Sequence, residues 1–273
     1  MSRAPACAKI NLALVVGERR PDGKHEITTI LQRLDVCDRV RVEPAADLRI
    51  DGFAEDTLVR RALVALADAC GVAPAWRVHI SKRLPVAAGL GGGSSDAATA
   101  LRLANATLER PLDRRALRAV AATVGSDVPF FLTQGPQLGE SDGTELSPVT
   151  IPQDFWTVLV VPHSLTKAST AAVYAAFDAR GGAAAGYAER RAELLSTLAA
   201  VRRARDLAAL PANDLASSPL TPELRALGAF RADVTGAGPA VYGLFARRVD
   251  AVAARRRLAS RGRVWVTVPA WYG

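Results

Sequence analysis

The 273-residue sequence is poor in cysteine, in lysine and in long apolar segments. Its three cysteines, Cys7, Cys37 and Cys70, are odd in number and lack the spacing of a metal site, so we expect small buried side chains in a reducing compartment. No apolar run approaches the ~20 residues that a membrane helix needs. The N-terminus also lacks the apolar core of a signal peptide. We therefore expect a cytoplasmic protein with no membrane partner.

Lysine is scarce because arginine supplies most of the positive charge: only four of the 35 basic residues are lysines. The net charge of +8 makes nucleic acid a candidate partner. However, the arginines are scattered over several predicted helices and accompany a high alanine content, which favours compositional bias over a binding stripe. We expect no nucleic-acid partner, although a basic nucleic-acid-binding protein remains an alternative. The same positive field would attract an anionic nucleotide substrate.

Length and apolar content allow a substantial core, in one large domain or two smaller ones. Apolar periodicity together with turn and cap residues predicts an α+β chain. The predicted strands are 4–16, 27–34, 40–42, 76–81, 130–132, 155–161, 241–245 and 264–268. The predicted helices are 57–70, a segment directly after residue 96, 114–124, 169–177, 187–207 and 249–258. A boundary near residue 150 divides the chain into predicted domains 1–150 and 151–273.

A glycine-rich loop between a predicted strand and a predicted helix is the most informative segment. Gly89 and residues 91–93 lack a Cβ atom, so the backbone there can approach a ligand closely. Ser94, Ser95 and Asp96 offer N-cap side chains for the helix that follows. The free N–H groups and dipole of a helix N-terminus suit phosphate. The loop is neither a Walker motif nor a dinucleotide fingerprint. A flexible linker is the alternative.

Two further sets of polar residues are ambiguous from the sequence alone. Alternation places Lys9 and Asn11 on one face of the first strand, where they form either a functional pair or part of a solvated face. Asp127 follows a predicted helix end and precedes Pro129 by two residues. Aspartate in such a place most often forms a local turn or cap.

Several motifs, taken together and in order, resemble the GHMP kinase superfamily. They are Ala8-Lys-Ile-Asn-Leu12, Arg20-Pro-Asp-Gly-Lys-His-Glu26, Leu90-Gly-Gly-Gly-Ser-Ser-Asp-Ala97, Gly125-Ser-Asp-Val-Pro-Phe130, Asn213-Asp-Leu215 and Thr235-Gly-Ala-Gly238. Within it the chain is similar to members whose small-molecule substrate carries a cytidine diphosphate group. The resemblance implies a two-domain α+β kinase with its active site in the inter-domain cleft. Another GHMP kinase, acting on homoserine, mevalonate or a sugar, remains the nearest alternative.

The resemblance also implies roles for individual residues. Asp127 corresponds to the catalytic base and Lys9 to the lysine that orients it. ATP would be bound, with Mg²⁺, and Ser95 would be a metal contact. The implied ATP-binding residues are Pro85, Val86, Ala87, Ala88, Gly89, Leu90, Gly91, Gly92, Gly93, Ser94 and Ser95.

The implied substrate-binding residues are Asn11, Lys24, His25, Tyr174, Thr235 and Gly236. His25 would read the cytosine edge, and Tyr174 would stack on the base. Lys24 departs from the family pattern, which has tyrosine at this position. A lysine offers charge and an aliphatic stem but no aromatic face. We therefore expect weaker base stacking and greater reliance on the diphosphate.

Overall fold

The computed structural model describes residues 2–53, 57–163, 169–182 and 186–270. Its strands are β1 (Ser2–Arg19), β2 (His25–Pro44), β3 (Arg49–Asp51), β4 (Trp76–Ser81), β5 (Gln137–Glu140), β6 (Glu145–Pro148), β7 (Trp156–Pro162), β8 (Arg231–Val234), β9 (Val241–Phe245) and β10 (Gly262–Thr267). Its α-helices are α1 (Thr57–Cys70), α2 (Gly92–Asn105), α3 (Arg114–Val124), α4 (Thr170–Ala179), α5 (Tyr187–Ala200), α6 (Leu220–Ala226) and α7 (Arg248–Arg257). None of these described helices has the length and apolar character needed to cross a membrane.

The first sheet contains β1 to β6 in the order β3-β4-β2-β5-β6, with β1 paired to β2. The β1–β2 ladder is antiparallel and extends from the pair Ser2↔Val42 to the pair Arg19↔His25. Register shifts interrupt it near the middle of β1, on either side of Lys9 and Asn11. Such irregularities bend a strand and redirect its side chains. The ladder therefore places these two polar residues where β1 changes direction.

The second sheet has the order β10-β7-β9-β8, and all of its pairs are antiparallel. Helices α1 to α3 pack on the first sheet, while α6 and α7 pack on the second. A third core cluster joins the two halves, since it contains Ile10 and Leu34 from the first and Leu159 and Tyr242 from the second. The two sheets thus share one core, and the predicted domain boundary near residue 150 stays a prediction.

Many predicted elements are confirmed within one or two residues. Helices 57–70 and 114–124 and strands 76–81 and 241–245 match the structure. Asp113 caps α3, because its carboxylate accepts a hydrogen bond from the Ala116 N–H at 2.8 Å. Apolar periodicity and cap residues were sufficient in these segments, since each carries its own local signal.

Four predicted elements are wrong. Strands 27–34 and 40–42 belong to a single strand, β2, which continues because the ladder to β1 absorbs a register shift. Pro129–Leu132 is a 3₁₀ helix and not a strand, with its proline in the first turn. The helix predicted over 187–207 ends at Ala200. A separate 3₁₀ helix, Ala204–Ala209, begins where Asp206 accepts hydrogen bonds from the N–H groups of residues 202 and 203.

The expectation of reduced cysteines is also wrong for two of the three. Cys7 and Cys37 form a disulfide bond, whereas Cys70 is a free thiol. The β1–β2 register places Cys7 directly opposite Cys37. The two residues are 30 positions apart in the chain, so only the paired strands bring them together.

Candidate active site

A cavity of about 830 Å³ opens between the glycine-rich loop, β1, the turn between β1 and β2, helix α4 and the loop after β8. This volume is in the range of small-molecule pockets, which are ~300–1,000 Å³. Most of the residues singled out in the sequence line it. They include Lys9, Asn11, Lys24, His25, residues 85–94, Asp127, Tyr174 and Gly236. Two others, Ser95 and Thr235, are buried behind the wall.

Lys9 and Asn11 form a buried polar pair and not part of a solvated face. The Lys9 Nζ donates a hydrogen bond to Asn11 Oδ1 at 2.8 Å and lies 3.4 Å from the Asp127 carboxylate. The amide of Asn11 donates in turn to Thr29 Oγ1 at 2.8 Å. Both residues of the pair are at most 5% exposed. A buried ammonium is retained only with such partners, so the sequence's ambiguity at β1 is resolved in favour of a pair.

Asp127 lies in the turn between α3 and the 3₁₀ helix Pro129–Leu132. In the part of the chain that the structure describes, no side chain caps this 3₁₀ helix. The Asp127 side chain is 41% exposed and faces the cavity, with Lys9 on its protein side. An exposed carboxylate beside a buried ammonium can accept a proton from a bound ligand and keep the resulting charges balanced.

Glycine is required at two positions of the glycine-rich loop. Gly89 has a φ of +84°, and a Cβ atom there would lie 2.5 Å from the Thr235 carbonyl oxygen. Gly91 has a φ of +66°, and a Cβ atom would lie 2.9 Å from the Phe131 ring and 3.0 Å from the Lys9 side chain. Residues that carry a Cβ atom rarely adopt such backbone conformations. The loop therefore packs directly against β1 and the loop after β8.

Helix α2 begins at Gly92, and Gly91 is its N-cap residue without any side-chain cap. The prediction that Ser94, Ser95 and Asp96 cap this helix is wrong, because they lie inside the helix as its third, fourth and fifth residues. The first N–H groups of a helix have no partner within it, so they are available to a ligand. Together with the helix dipole they favour an anion at this end of the cavity.

Lys82 is a cation of the site that was not predicted from the sequence. Its Nζ lies 2.7 Å from an Asp96 carboxylate oxygen and also forms an ion pair with Asp38. Burial alone lowers the pKa of Lys82, but the two carboxylates outweigh burial and raise it. A Cβ atom on Gly92 would lie 3.5 Å from this ammonium. A charged group is therefore held directly beneath the start of α2.

An aromatic group forms another part of the cavity wall. The His25 ring is buried, stacks on the Tyr174 ring at a centroid distance of 4.8 Å, and meets the Phe177 ring edge-on at 6.2 Å. Its Nε2 lies 2.8 Å from the Asp178 carboxylate. Burial, and secondarily the charge of Asp127, raise the pKa of Tyr174 to about 12. Tyr174 is thus a neutral phenol at neutral pH.

The loop after β8 holds the polar pair of β1 from behind. Thr235 Oγ1 accepts a hydrogen bond from the Asn11 N–H at 3.0 Å and donates to Asn11 Oδ1 at 3.2 Å. Gly236 has a φ of +57°, and a Cβ atom there would lie 3.4 Å from the Lys9 Nζ. The Asn213 amide donates to the Gly236 carbonyl at 2.8 Å. The motif Asn213-Asp-Leu215 therefore supports this loop.

Comparison with known proteins gives matches over most of the chain. The model of the N-terminal domain of GHMP kinases matches residues 57–135, and the model of the C-terminal domain of GHMP kinases matches residues 219–264. A 4-diphosphocytidyl-2-C-methyl-D-erythritol kinase of Nocardia farcinica is 39% identical over 281 aligned residues, covering 95% of this chain and 89% of that protein. The enzyme of the same name from Geobacter sulfurreducens is 35% identical over 277 aligned residues, covering 95% of each chain. A crystal structure of 4-(cytidine 5'-diphospho)-2C-methyl-D-erythritol kinase superposes with a TM-score of 0.78 at 30% identity, covering 98% of this chain and 99% of that one.

Proposed function

The chain belongs to the GHMP kinase family, and we propose that it transfers the γ-phosphoryl group of ATP to the 2-hydroxyl of 4-diphosphocytidyl-2-C-methyl-D-erythritol in the non-mevalonate route to isoprenoid precursors. The observation that carries this proposal is the Lys9–Asp127 pair beside the uncapped start of α2. A proton acceptor and an anion site then face the same cavity. A cytoplasmic location, expected from the sequence, is part of the proposal.

Asp127 is the proposed general base. The acceptor is a tertiary alcohol, which is a poor nucleophile while it keeps its proton. The exposed Asp127 carboxylate can take that proton, and a base of this kind contributes about 10²–10⁴-fold to the rate. Lys9 lies 3.4 Å from the carboxylate and holds its orientation. Its ammonium also offsets negative charge on the attacking oxygen.

The glycine-rich loop and α2 are the proposed triphosphate site. Its N–H groups attract the phosphates, and phosphoryl transfer depends mainly on such positioning and charge stabilisation. Mg²⁺, which prefers oxygen ligands, would neutralise phosphate charge when bound. Ser94 lines the cavity whereas Ser95 is 1% exposed, so Ser94 is the hydroxyl at the wall. The contact of Ser95 with Mg²⁺ stays a prediction.

The aromatic end of the cavity is the proposed cytidine site. Tyr174 offers a flat face for the base, and His25 lies beneath it, fixed by Asp178. We propose that cytosine stacks on Tyr174 and that its edge is read by the backbone at His25. Lys24 stands at this end with half of its side chain exposed. Asn11 and Gly236 line the cavity next to Lys9, and the buried Thr235 holds Asn11 from behind.

Release of ADP in the presence of Mg²⁺ tests the proposal. The purified protein is mixed with ATP and, separately, with the cytidyl-diphosphate substrate, mevalonate, homoserine or galactose. We expect ADP only with the cytidyl-diphosphate substrate. Formation of ADP with another acceptor would refute the proposed substrate but would still support kinase activity. No turnover, combined with salt-sensitive binding of nucleic acid, would favour the basic nucleic-acid-binding alternative.

A further inference from the structure

Lys24, Ser126 and Asp142 connect three separate segments of the chain beside Asp127. The Lys24 ammonium forms an ion pair with Asp142 and donates a hydrogen bond to Ser126 Oγ at 3.3 Å. The Ser126 hydroxyl donates to Asp142 Oδ2 at 3.2 Å. Lys24 belongs to the turn between β1 and β2, Asp142 to the turn between β5 and β6, and Ser126 immediately precedes Asp127. All four residues line the cavity.

Asp142 is held in place by hydrogen bonds within its own turn. Its side chain is 10% exposed, and Thr144 donates to Oδ1 through its hydroxyl at 2.6 Å and its N–H at 3.2 Å. Burial by itself would raise the pKa of Asp142, but Lys24 and Thr144 outweigh burial and lower it to about 2. The Lys24 N–H donates to Asp22 Oδ1 at 3.0 Å, which holds the turn that carries the lysine.

The backbone that carries Asp127 is therefore held on both sides. Downstream, the guanidinium of Arg33 donates to the Phe130 carbonyl at 2.9 Å and to the Thr133 carbonyl. Upstream, the Ser126 side chain forms hydrogen bonds with Lys24 and Asp142. A displacement of about 1 Å in a catalytic group can cost about 10²-fold in rate. An isolated surface ion pair, by contrast, contributes little to stability.

We propose that Lys24 and Asp142 are positioning residues whose ion pair holds Ser126, and through it the backbone of Asp127, in the geometry for proton transfer. This inference rests on the proposed function for its kinetic readout. It gives Lys24 a role in turnover that is separate from any contact with the cytidine end of the substrate.

Three variants test the inference: Lys24→Met, Asp142→Asn, and the double variant that combines Lys24→Met with Asp142→Asn. We expect each single variant to lower kcat about tenfold while KM for ATP changes less than about twofold, since positioning and not ATP binding is lost. Hydrogen exchange of the backbone amides at 126–128 should become faster in both. The double variant should lower kcat no further than the single variants do, because both residues act through one interaction.

The control is Arg49→Asp, which disrupts the exposed pair Arg49–Asp47 and should leave both readouts unchanged. Exchange of the α1 amides checks that each variant is folded. Wild-type kcat and wild-type exchange in the single variants would overturn the inference, as would a double variant whose loss of kcat equals the product of the two single losses. If the wild type fails to turn over the cytidyl-diphosphate substrate, the proposed function fails, and exchange at 126–128 still decides the positioning role.

Discussion

At the scale of single residues, the site depends on how one buried cation is neutralised. Lys9 is almost completely inaccessible, and its partners are the Asn11 amide oxygen and the Asp127 carboxylate. Asp127 is the member of this group with substantial exposure. The ligand-facing chemistry therefore concentrates on one carboxylate, while Lys9 and Asn11 support it from below.

Replacement of Asp127 by asparagine should separate chemistry from nucleotide binding. Asparagine keeps the size of the side chain but cannot accept the proton, so we expect kcat to fall by about 10²–10⁴-fold. The dissociation constant for ATP should stay close to that of the wild type, because the glycine-rich loop is untouched. Steady-state kinetics and calorimetric titration with ATP measure the two effects. Asp47→Asn, at an exposed position, serves as the control, and a near-normal kcat in Asp127→Asn would show that another group is the base.

The ion pair of Asp142 predicts a specific dependence of stability on pH. Its folded-state pKa of about 2 is below the usual value, so its stabilisation is present above pH ~4 and is lost as the pH falls through 2. At neutral pH we expect Asp142→Asn to lower the free energy of unfolding by about 1 kcal/mol, a modest value because Lys24 is half-exposed. Denaturant unfolding at several pH values measures the difference from the wild type. A difference that stays constant down to pH ~2 would contradict this account.

At the scale of elements, the sequence predicted those segments that carry their own signals. Helix α1 has a complete apolar stripe and Gly71 after its end, and α3 has Asp113 as its cap. The 3₁₀ helix Pro129–Leu132 could not be predicted, because Phe130 is buried by tertiary packing and its carbonyl is held by Arg33. The Cys7–Cys37 bond escaped prediction for the same reason, since it follows from strand register.

The candidate site was also predictable only in part, namely for the residues that belong to sequence motifs. Resemblance of motifs identified Lys9, Asp127 and the glycine-rich loop, which the fold brings to one cavity. Lys82 and Asp142 were missed because their partners are distant in the chain: Asp38 is 44 residues from Lys82, and Lys24 is 118 residues from Asp142. No local pattern reports such pairs.

The glycine-rich loop predicts different outcomes for two glycine-to-alanine changes. Gly89→Ala would place a Cβ atom 2.5 Å from the Thr235 carbonyl, so the loop must shift, and we expect ATP affinity to fall at least about tenfold. Gly135 also has a positive φ, of +67°, but nothing lies within 4 Å of its Cβ position. Gly135→Ala is the matched control and should cost only about 1 kcal/mol of stability. Equal ATP affinities in the two variants would refute a tight role for Gly89.

The cap of α3 predicts a change of stability without a change of chemistry. Asp113→Ala removes the acceptor for the Ala116 N–H, and loss of such a cap costs about 1 kcal/mol. Asp113→Asn keeps an acceptor oxygen and should retain most of the stability. Thermal and denaturant unfolding compare the two variants, and kcat should be unchanged in both. Equal stabilities for alanine and asparagine would mean that the cap contributes nothing.

At the scale of the whole molecule, the cavity depends on both halves of the chain. The first half supplies Lys9, the glycine-rich loop and Asp127, while the second supplies Tyr174 and Gly236. The core cluster that includes Ile10 and Tyr242 fixes the two sheets against each other. The proposed reaction therefore requires the phosphate end and the cytidine end to be held at a set separation by this shared core.

The position of the transferred phosphoryl group tests the central claim most directly. The protein is incubated with Mg²⁺, ATP and 4-diphosphocytidyl-2-C-methyl-D-erythritol, and the product is examined by phosphorus NMR. The 2-hydroxyl is on a carbon without hydrogen, so a phosphate there has no three-bond coupling to a proton. We predict a new phosphomonoester singlet that grows in proportion to ADP. A proton-coupled phosphomonoester signal, which marks a primary or secondary hydroxyl, would contradict the account, as would the absence of any new signal.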